Sequence, residues 1–297
     1  MPDAQLHFLD VGTGDATRQI AVLSRPGSGP DPRPGVFWLG GFRSEMSGLK
    51  ATALDILGAE TGTGVTRFDY SGHGQSGGDF LLGTISRWLE EALAVFATTH
   101  GPQVLVGSSM GGWIACLAAI ARPDRVKALV LVAPAPDFTE KLMAPAFSQD
   151  ARDALARDGR WTRPSDYDDG GYVITQALLD DGARWSILPG PVPIAVPVRI
   201  LQGGLDPDVP WTHALELAHA LKGPDVVFSL IKDGDHRLSR PQDLERLVAA
   251  VDEARGLAAE EVGDLVDRRL ARAARLRGAA AIEATGLVER PGTPDED

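Results

Sequence analysis

The sequence predicts an α/β fold: a mostly parallel central sheet with helices on both faces and a small helical cap. Three observations lead there. Short runs such as residues 104–106 and Val126–Val132 are apolar without alternation, which is the pattern of strands covered on both faces. Amphipathic helical patterns lie between these runs, so strand and helix alternate along the chain. The alternation then stops over residues 137–190 and resumes afterwards, as it would around an insertion.

In chain order, Gln5–Val11 and Arg18–Arg25 read as an opening hairpin turned by Gly12-Thr-Gly-Asp15. A Pro/Gly/Ser loop over 27–35 leads to an apolar strand at 36–39, which stops at Gly40-Gly41-Phe42. The spacing of Leu49, Ala53, Leu54 and Leu57 predicts a helix over 44–58 with those residues on one face. A strand at 65–70 precedes the glycine-rich, flexible loop Ser71-Gly-His-Gly-Gln-Ser-Gly-Gly78. Ile85, Trp88, Leu89, Ala92, Leu93 and Phe96 recur at helical spacing. The run at 104–106 breaks at Gly107-Ser-Ser-Met-Gly111, and Trp113-Ile-Ala-Cys-Leu-Ala-Ala-Ile120 is helical. Strand Val126–Val132 ends in Ala133-Pro-Ala-Pro136. The expected cap, 137–190, carries no clean strand; Phe138, Leu142, Met143, Phe147, Trp161, Tyr167, Tyr172 and Trp185 stand there among many charges. A strand at 198–202, a helix at 211–221, strand Val226–Ile231 and a helix at 241–254 complete the domain expected over 1–256. Residues 257–297 are expected to be a helical extension and a disordered tail. The extension carries a basic cluster, Arg268, Arg269, Arg272, Arg275 and Arg277, read as a solvated face.

The bulk numbers exclude several classes. A net charge of −12 argues against a nucleic-acid partner, because phosphate binding needs a basic face. No run of about 18 apolar residues is present, so stable membrane insertion is not expected. The single cysteine, Cys116, lies in an apolar helical pattern and reads as packing; a lone cysteine and an N-terminus without a basic, apolar leader point to a cytoplasmic protein. No Cys/His ligand cluster occurs and no G-x-G-x-x-G follows the first strand, so neither a metal nor a redox cofactor is expected.

The chemistry gathers at Gly107-Ser-Ser-Met-Gly111. A strand, a sharp G-x-S-x-G turn and a helix present Ser109 at an apex, where a strained backbone lifts the hydroxyl clear of the sheet. A serine hydroxyl needs a base, and the base needs an orienting acid. Asp206 and His236 follow in the order Ser, Asp, His, each just past the end of a strand, where open α/β sheets collect their ligands. Asp208 is the rival acid, and Asp233 and Asp235 read as loop-surface charges. Two backbone N–H donors are needed for an oxyanion; Met110, directly after the nucleophile, and Phe42, after the 36–39 strand, are the candidates. Of the other histidines, His7, His100, His213 and His219 read as structural. His73 is a candidate for the pocket wall without a catalytic role.

With these residues in place the chain resembles the α/β-hydrolase superfamily of serine hydrolases. Phe68-Asp-Tyr-Ser-Gly72, Gly101-Pro-Gln-Val-Leu-Val-Gly-Ser-Ser-Met-Gly-Gly-Trp113, Ala119-Ile-Ala-Arg-Pro123, Trp161-Thr-Arg-Pro-Ser-Asp-Tyr167, Val209-Pro-Trp211 and Asp235-His-Arg237 are similar to one subfamily, the palmitoyl-protein thioesterases that also cleave acyl glucuronides. The similarity spans roughly residues 34–254. It implies Ser109, Asp206 and His236 as the triad, Phe42 and Met110 as oxyanion donors, and an acyl thioester or ester, including an S-acylated protein, as substrate. Many relatives carry His where Gly40 stands; the donor there is backbone, so the departure costs little. An acyl-glucuronide or small-ester esterase shares this machinery. A haloperoxidase, a C–C hydrolase or a non-catalytic receptor on the same fold stays open at this point.

Overall fold

The computed structural model describes residues 3–28, 33–165, 168–188 and 190–259. Ten strands are present among them: β1 Gln5–Val11, β2 Arg18–Arg25, β3 Gly35–Leu39, β4 Val65–Phe68, β5 Gln103–Ser108, β6 Val126–Val132, β7 Arg160–Ser165, β8 Asp168–Thr175, β9 Val198–Gly203 and β10 Val226–Ile231. Eight of them form one sheet in the order β1-β2-β4-β3-β5-β6-β9-β10. The β1–β2 hairpin and the β2–β4 pair are antiparallel, and every pair from β4 to β10 is parallel.

The central parallel strands β3, β5 and β6 are mostly apolar because both of their faces are covered. In β3, Val36 and Trp38 enter one core while Phe37 and Leu39 enter the other. Val104 and Val106 oppose Leu105 in β5, and Ala128, Val130 and Val132 oppose Leu129 and Leu131 in β6. This two-residue period is the pleat of a strand. Helices α2 Ile85–Thr98 and α3 Met110–Ala121 cover one face, with Trp88 and Trp113 fully buried. Helices α1 Leu49–Thr61 and α8 Pro241–Ala258 cover the other through Leu54, Leu57, Leu247 and Val251. Each large apolar side chain so buried contributes about 2–3 kcal/mol.

Helix α1 begins at Leu49, not at 44. Residues 44–48 form turns, with the Met46 N–H donated to Asp69 Oδ1 at 2.6 Å. Leu49 is consequently 64% exposed, and Ala51, Leu54, Leu57 and Gly58 make the buried face instead. The cap also departs from expectation. A π-helical turn Thr139–Met143 runs into the short α4 Ala144–Ala146, followed by α5 Gln149–Asp158 and α6 Gln176–Arg184. Between α5 and α6, β7 and β8 pair as an antiparallel hairpin, so the cap is mixed rather than purely helical. Alternating partners hid the hairpin: Arg160, Thr162 and Arg163 interrupt any apolar run. Helix α7 Trp211–Ala220 lies between β9 and β10. The helical extension expected from residue 257, with its basic cluster, and the tail lie outside the described residues beyond 259, as does Tyr167. No described helix is long and apolar enough to cross a membrane.

Candidate active site

Ser109 stands between β5 and α3 with φ 55° and ψ −118°, a conformation L-residues rarely hold. The surroundings enforce it. A Cβ at Gly107 would come within 2.3 Å of Gly111 O, and one at Gly111 within 2.1 Å of Leu39 O. The Ser109 N–H is held by Val132 O at 2.9 Å, and Ser109 O accepts from Gly112 N–H at 2.9 Å and Ala135 N–H at 3.1 Å. Serine at a helix start ordinarily turns its hydroxyl back to cap the helix. Ser109 makes no such bond, so its Oγ is left to the adjoining cavity.

Asp206 and His236 occupy the loops after β9 and β10. His236 Nδ1 lies 2.8 Å from Asp206 Oδ2. The Asp206 side chain is wholly buried. Its Oδ1 accepts from the N–H groups of Asp208 (2.9 Å) and Val209 (2.8 Å), and Oδ2 also accepts from Gln202 Nε2 at 3.1 Å. That set fixes the carboxylate's rotamer. With Nδ1 engaged, Nε2 is the His236 nitrogen available to the cavity. The Ser109 hydroxyl and His236 line one cavity but are not hydrogen-bonded to each other among the described residues; such contacts often tighten only around substrate. Behind the His236 loop, Lys50 donates to Arg237 O, and its burial pushes its pKa down to about 8.

Asp208, the rival acid, faces the same cavity without touching His236. Ligand atoms of Asp206, Asp208 and His236 lie within 4.8 Å of one another, a spacing that would suit a cation. The four bonds already made to Asp206 leave its oxygens little capacity for one. Asp233 pairs with Arg240 at 2.7 Å, and Asp235 accepts the Leu238 N–H, in line with loop roles. Among the described residues no backbone acceptor takes the N–H of Phe42 or of Met110. Both residues line the cavity that Ser109 also lines.

The cavity measures about 640 Å³. Phe42, Phe138, Leu142, Met143, Ala146 and Val209 form its apolar wall, while Arg43, Lys141, Arg163 and Arg237 bring positive charge to it. Phe147 and Trp161 instead pack on each other (5.6 Å), and Trp185 anchors the cap: its indole donates to Ser86 Oγ at 2.7 Å, and its carbonyl accepts from Trp113 Nε1 at 3.2 Å. Asp137, 1% exposed, closes the base of the cap by accepting from Ser186 Oγ, Ile187 N–H and Leu188 N–H at 2.7–3.0 Å. Sequence reading missed this clamp because its two halves are about fifty residues apart. His73 is not in the wall; it is 4% exposed, packed behind the Phe42 turn, and burial pushes its pKa down to about 4. Cys116 is fully buried, with its thiol pushed up to about 12, which makes it inert packing.

The chain is similar to known hydrolases. A family model described as serine aminopeptidase, S33, matches residues 30–176. The mitochondrial palmitoyl-protein thioesterase ABHD10 of Mus musculus is 37% identical over 224 residues, 74% of each chain. Among solved structures, a hydrolase from Agrobacterium vitis S4 superposes with a TM-score of 0.81 at 47% identity, over 85% of this chain and 99% of that one. The α/β-hydrolase domain-containing protein 10 from mouse gives a TM-score of 0.75 at 33% identity, over 89% and 99%. The ABHD10 relatives from mouse, rat and human are all named as mitochondrial proteins, which overturns the cytoplasmic placement expected from the sequence. A lone cysteine fits any reducing compartment and so does not single out the cytoplasm.

Proposed function

This chain belongs to the α/β-hydrolase family, among the relatives of palmitoyl-protein thioesterase ABHD10, and is a hydrolase of the esterase and thioesterase kind; from that premise we propose that it cleaves long-chain acyl thioesters through a Ser109–His236–Asp206 triad and an acyl-enzyme. The observation that carries the reading is the 2.8 Å bond from His236 Nδ1 to a wholly buried Asp206, on the cavity that also holds Ser109. Asp206 keeps the ring in the tautomer whose Nε2 accepts a proton. Nε2 takes the Ser109 proton as Oγ attacks the thioester carbonyl. The N–H groups of Phe42 and Met110 hold the oxyanion, and the departing thiol takes the proton back from Nε2. Water, activated by the same nitrogen, then releases the acid and restores Ser109.

Residues 1–256 would form the catalytic domain, with 137–190 as its cap. The apolar wall under the cap supports an acyl chain as the bound group, and S-acyl cysteine on a protein is the substrate class carried over from the relatives' name. A chain-length series of thioesters and oxyesters tests this, with Ser109→Ala as control. Turnover should rise from two-carbon to sixteen-carbon thioesters; a preference for short chains would sink the long-chain assignment. A second reading, an esterase for acyl esters of acidic sugars, is favoured by one observation, the four cationic side chains on the cavity. An acyl glucuronide tested beside a palmitoyl thioester decides between the two.

A further inference from the structure

The backbone that offers the Phe42 N–H is a tight turn with an unusual residue in it. Ser44 N–H donates to Gly41 O at 3.1 Å, which closes a four-residue turn over Gly41, Phe42, Arg43 and Ser44. Arg43, its third residue, has φ 57°. A negative φ at the second position and a positive φ at the third is the pattern of a type II turn, where glycine or asparagine normally stands. An arginine there costs of order 1 kcal/mol or more. Something outside the turn must therefore hold the central peptide in this orientation.

That element is the glycine-rich loop after β4. His73 Nε2 accepts the Arg43 N–H at 3.0 Å, and His73 Nδ1 is anchored to Ser71 O at 3.1 Å. Nδ1 must be the donor to a carbonyl, so Nε2 carries a lone pair, as acceptance from Arg43 requires. The ring cannot swing away, because it is packed against Tyr70 (5.9 Å), Phe80 (5.2 Å) and Trp88 (5.5 Å). The loop itself is braced to the same segment a second time: Asp69 accepts from Met46 N–H at 2.6 Å with Oδ1 and from Gln75 N–H at 2.8 Å with Oδ2. Gly74 has φ 46°, and a Cβ there would sit 2.1 Å from Asp69 Oδ2. Phe42, meanwhile, packs against Phe80, Trp88 and Phe138, so the turn and the His73 cage share walls.

We propose that His73 is a positioning residue for the reaction: by accepting the Arg43 N–H it selects the strained form of the Gly41–Ser44 turn and keeps the Phe42 N–H aimed at the oxyanion beside Ser109. His73 touches neither substrate nor Ser109. Its contribution is to lower the freedom of a donor that acts only in the transition state, so it bears on kcat rather than on ground-state binding. The burial that holds the ring neutral keeps Nε2 an acceptor at neutral pH. The claim rests on the reading of Phe42 N–H as an oxyanion donor and Ser109 as nucleophile, and the test separates the two.

The full-length protein is titrated with a fluorophosphonate probe, and turnover of a nitrophenyl ester is expressed per labelled Ser109. Lack of labelling in the unsubstituted protein refutes the nucleophile, and with it the proposed function. If labelling succeeds, His73→Asn and His73→Gln are compared. The glutamine amide can reach the position of Nε2, whereas the asparagine amide reaches only that of Nδ1. His73→Asn should lower kcat per labelled site about 10- to 100-fold with KM held within about twofold, and weaken a trifluoromethyl ketone transition-state analogue in proportion. His73→Gln should recover most of that loss. A purely structural role would reduce the fraction of labelled protein and the melting temperature without changing kcat per site. Equal losses in the two variants, or no loss in His73→Asn, overturn the proposal. Long-range proton–nitrogen NMR on the unsubstituted protein supplies a check that needs no variant: His73 should be protonated on Nδ1 at neutral pH, and protonation on Nε2 overturns the assignment.

Discussion

The carboxyl edge of the sheet and the cap above it hold their side chains by different means. At the sheet edge the backbone does the holding. Gly107 and Gly111 let β5, α3 and β3 approach so closely that a single methyl would collide with a carbonyl, and Ser109 is left one conformation. Asp206 is held by backbone N–H groups two and three residues ahead. The cap is held by side chains instead: Asp137 clamps its two ends, Asp181 accepts from Ser86 N–H and Oγ at 2.7 Å, and Trp185 bridges to α2 and α3. In the proposed mechanism the backbone-built edge sets where bonds break, and it tolerates little change. A side-chain-built cap defines what fits, and it can be altered without dismantling the reaction centre.

That division predicts a graded set of outcomes. The largest concerns the proposed nucleophile: Ser109→Ala should lower kcat about 10⁶-fold while leaving the melting temperature close to that of the parent. Esterase assays paired with thermal unfolding measure both. Asp206→Asn should cost about 10⁴-fold in kcat, because the amide favours the wrong His236 tautomer. Retention of more than a tenth of the activity would show that Asp208 can substitute for it. On the cap side, Asp137→Ala leaves one hydroxyl and two backbone N–H donors without their acceptor. It should cost about 3 kcal/mol by denaturant unfolding, and raise KM for long acyl chains far more than it lowers kcat for a short ester.

The cage behind the Phe42 turn gives a pH signature of similar size. His73 has its usual value near 6.5 when unfolded and about 4 when folded, so between these values the unfolded chain binds more protons. Stability therefore rises with pH across that interval and is lost as pH falls from 6.5 toward 4, by up to about 3 kcal/mol. Unfolding measured from pH 4 to 7 should show this slope, and His73→Gln should remove most of it, leaving the smaller share of His213, which burial also shifts down. The smallest effect belongs to the cavity wall. Leu142→Ala should reduce selectivity for a long over a short acyl chain about tenfold or less, with short-chain turnover unchanged.

Much of the sheet and of the candidate site was legible in the chain itself. The strand runs, the glycines flanking Ser109 and the order Ser109, Asp206, His236 are local or nearly local signals, and the described geometry joins Asp206 to His236 without intervention from Asp208. The cap was less legible. In its first strand exposed Arg160 and Thr162 flank half-buried Trp161 and Arg163 follows directly, so no apolar run marks it. The start of α1 was misplaced because the Met46 N–H answers to Asp69 rather than to a helical carbonyl.

What the sequence alone determined is the order of buried strands and covering helices and the chemical identity of the groups at the strand ends. Hydrophobic periodicity and glycine placement are enough for that, since both act over a few residues. Only the tertiary structure decided which groups meet. Asp137 finds the far end of the cap, His73 finds the Arg43 N–H thirty residues away, and the cations of an acidic chain gather on one cavity. Those meetings depend on where the loops converge at the carboxyl edge, a property of the packed sheet that no local pattern encodes.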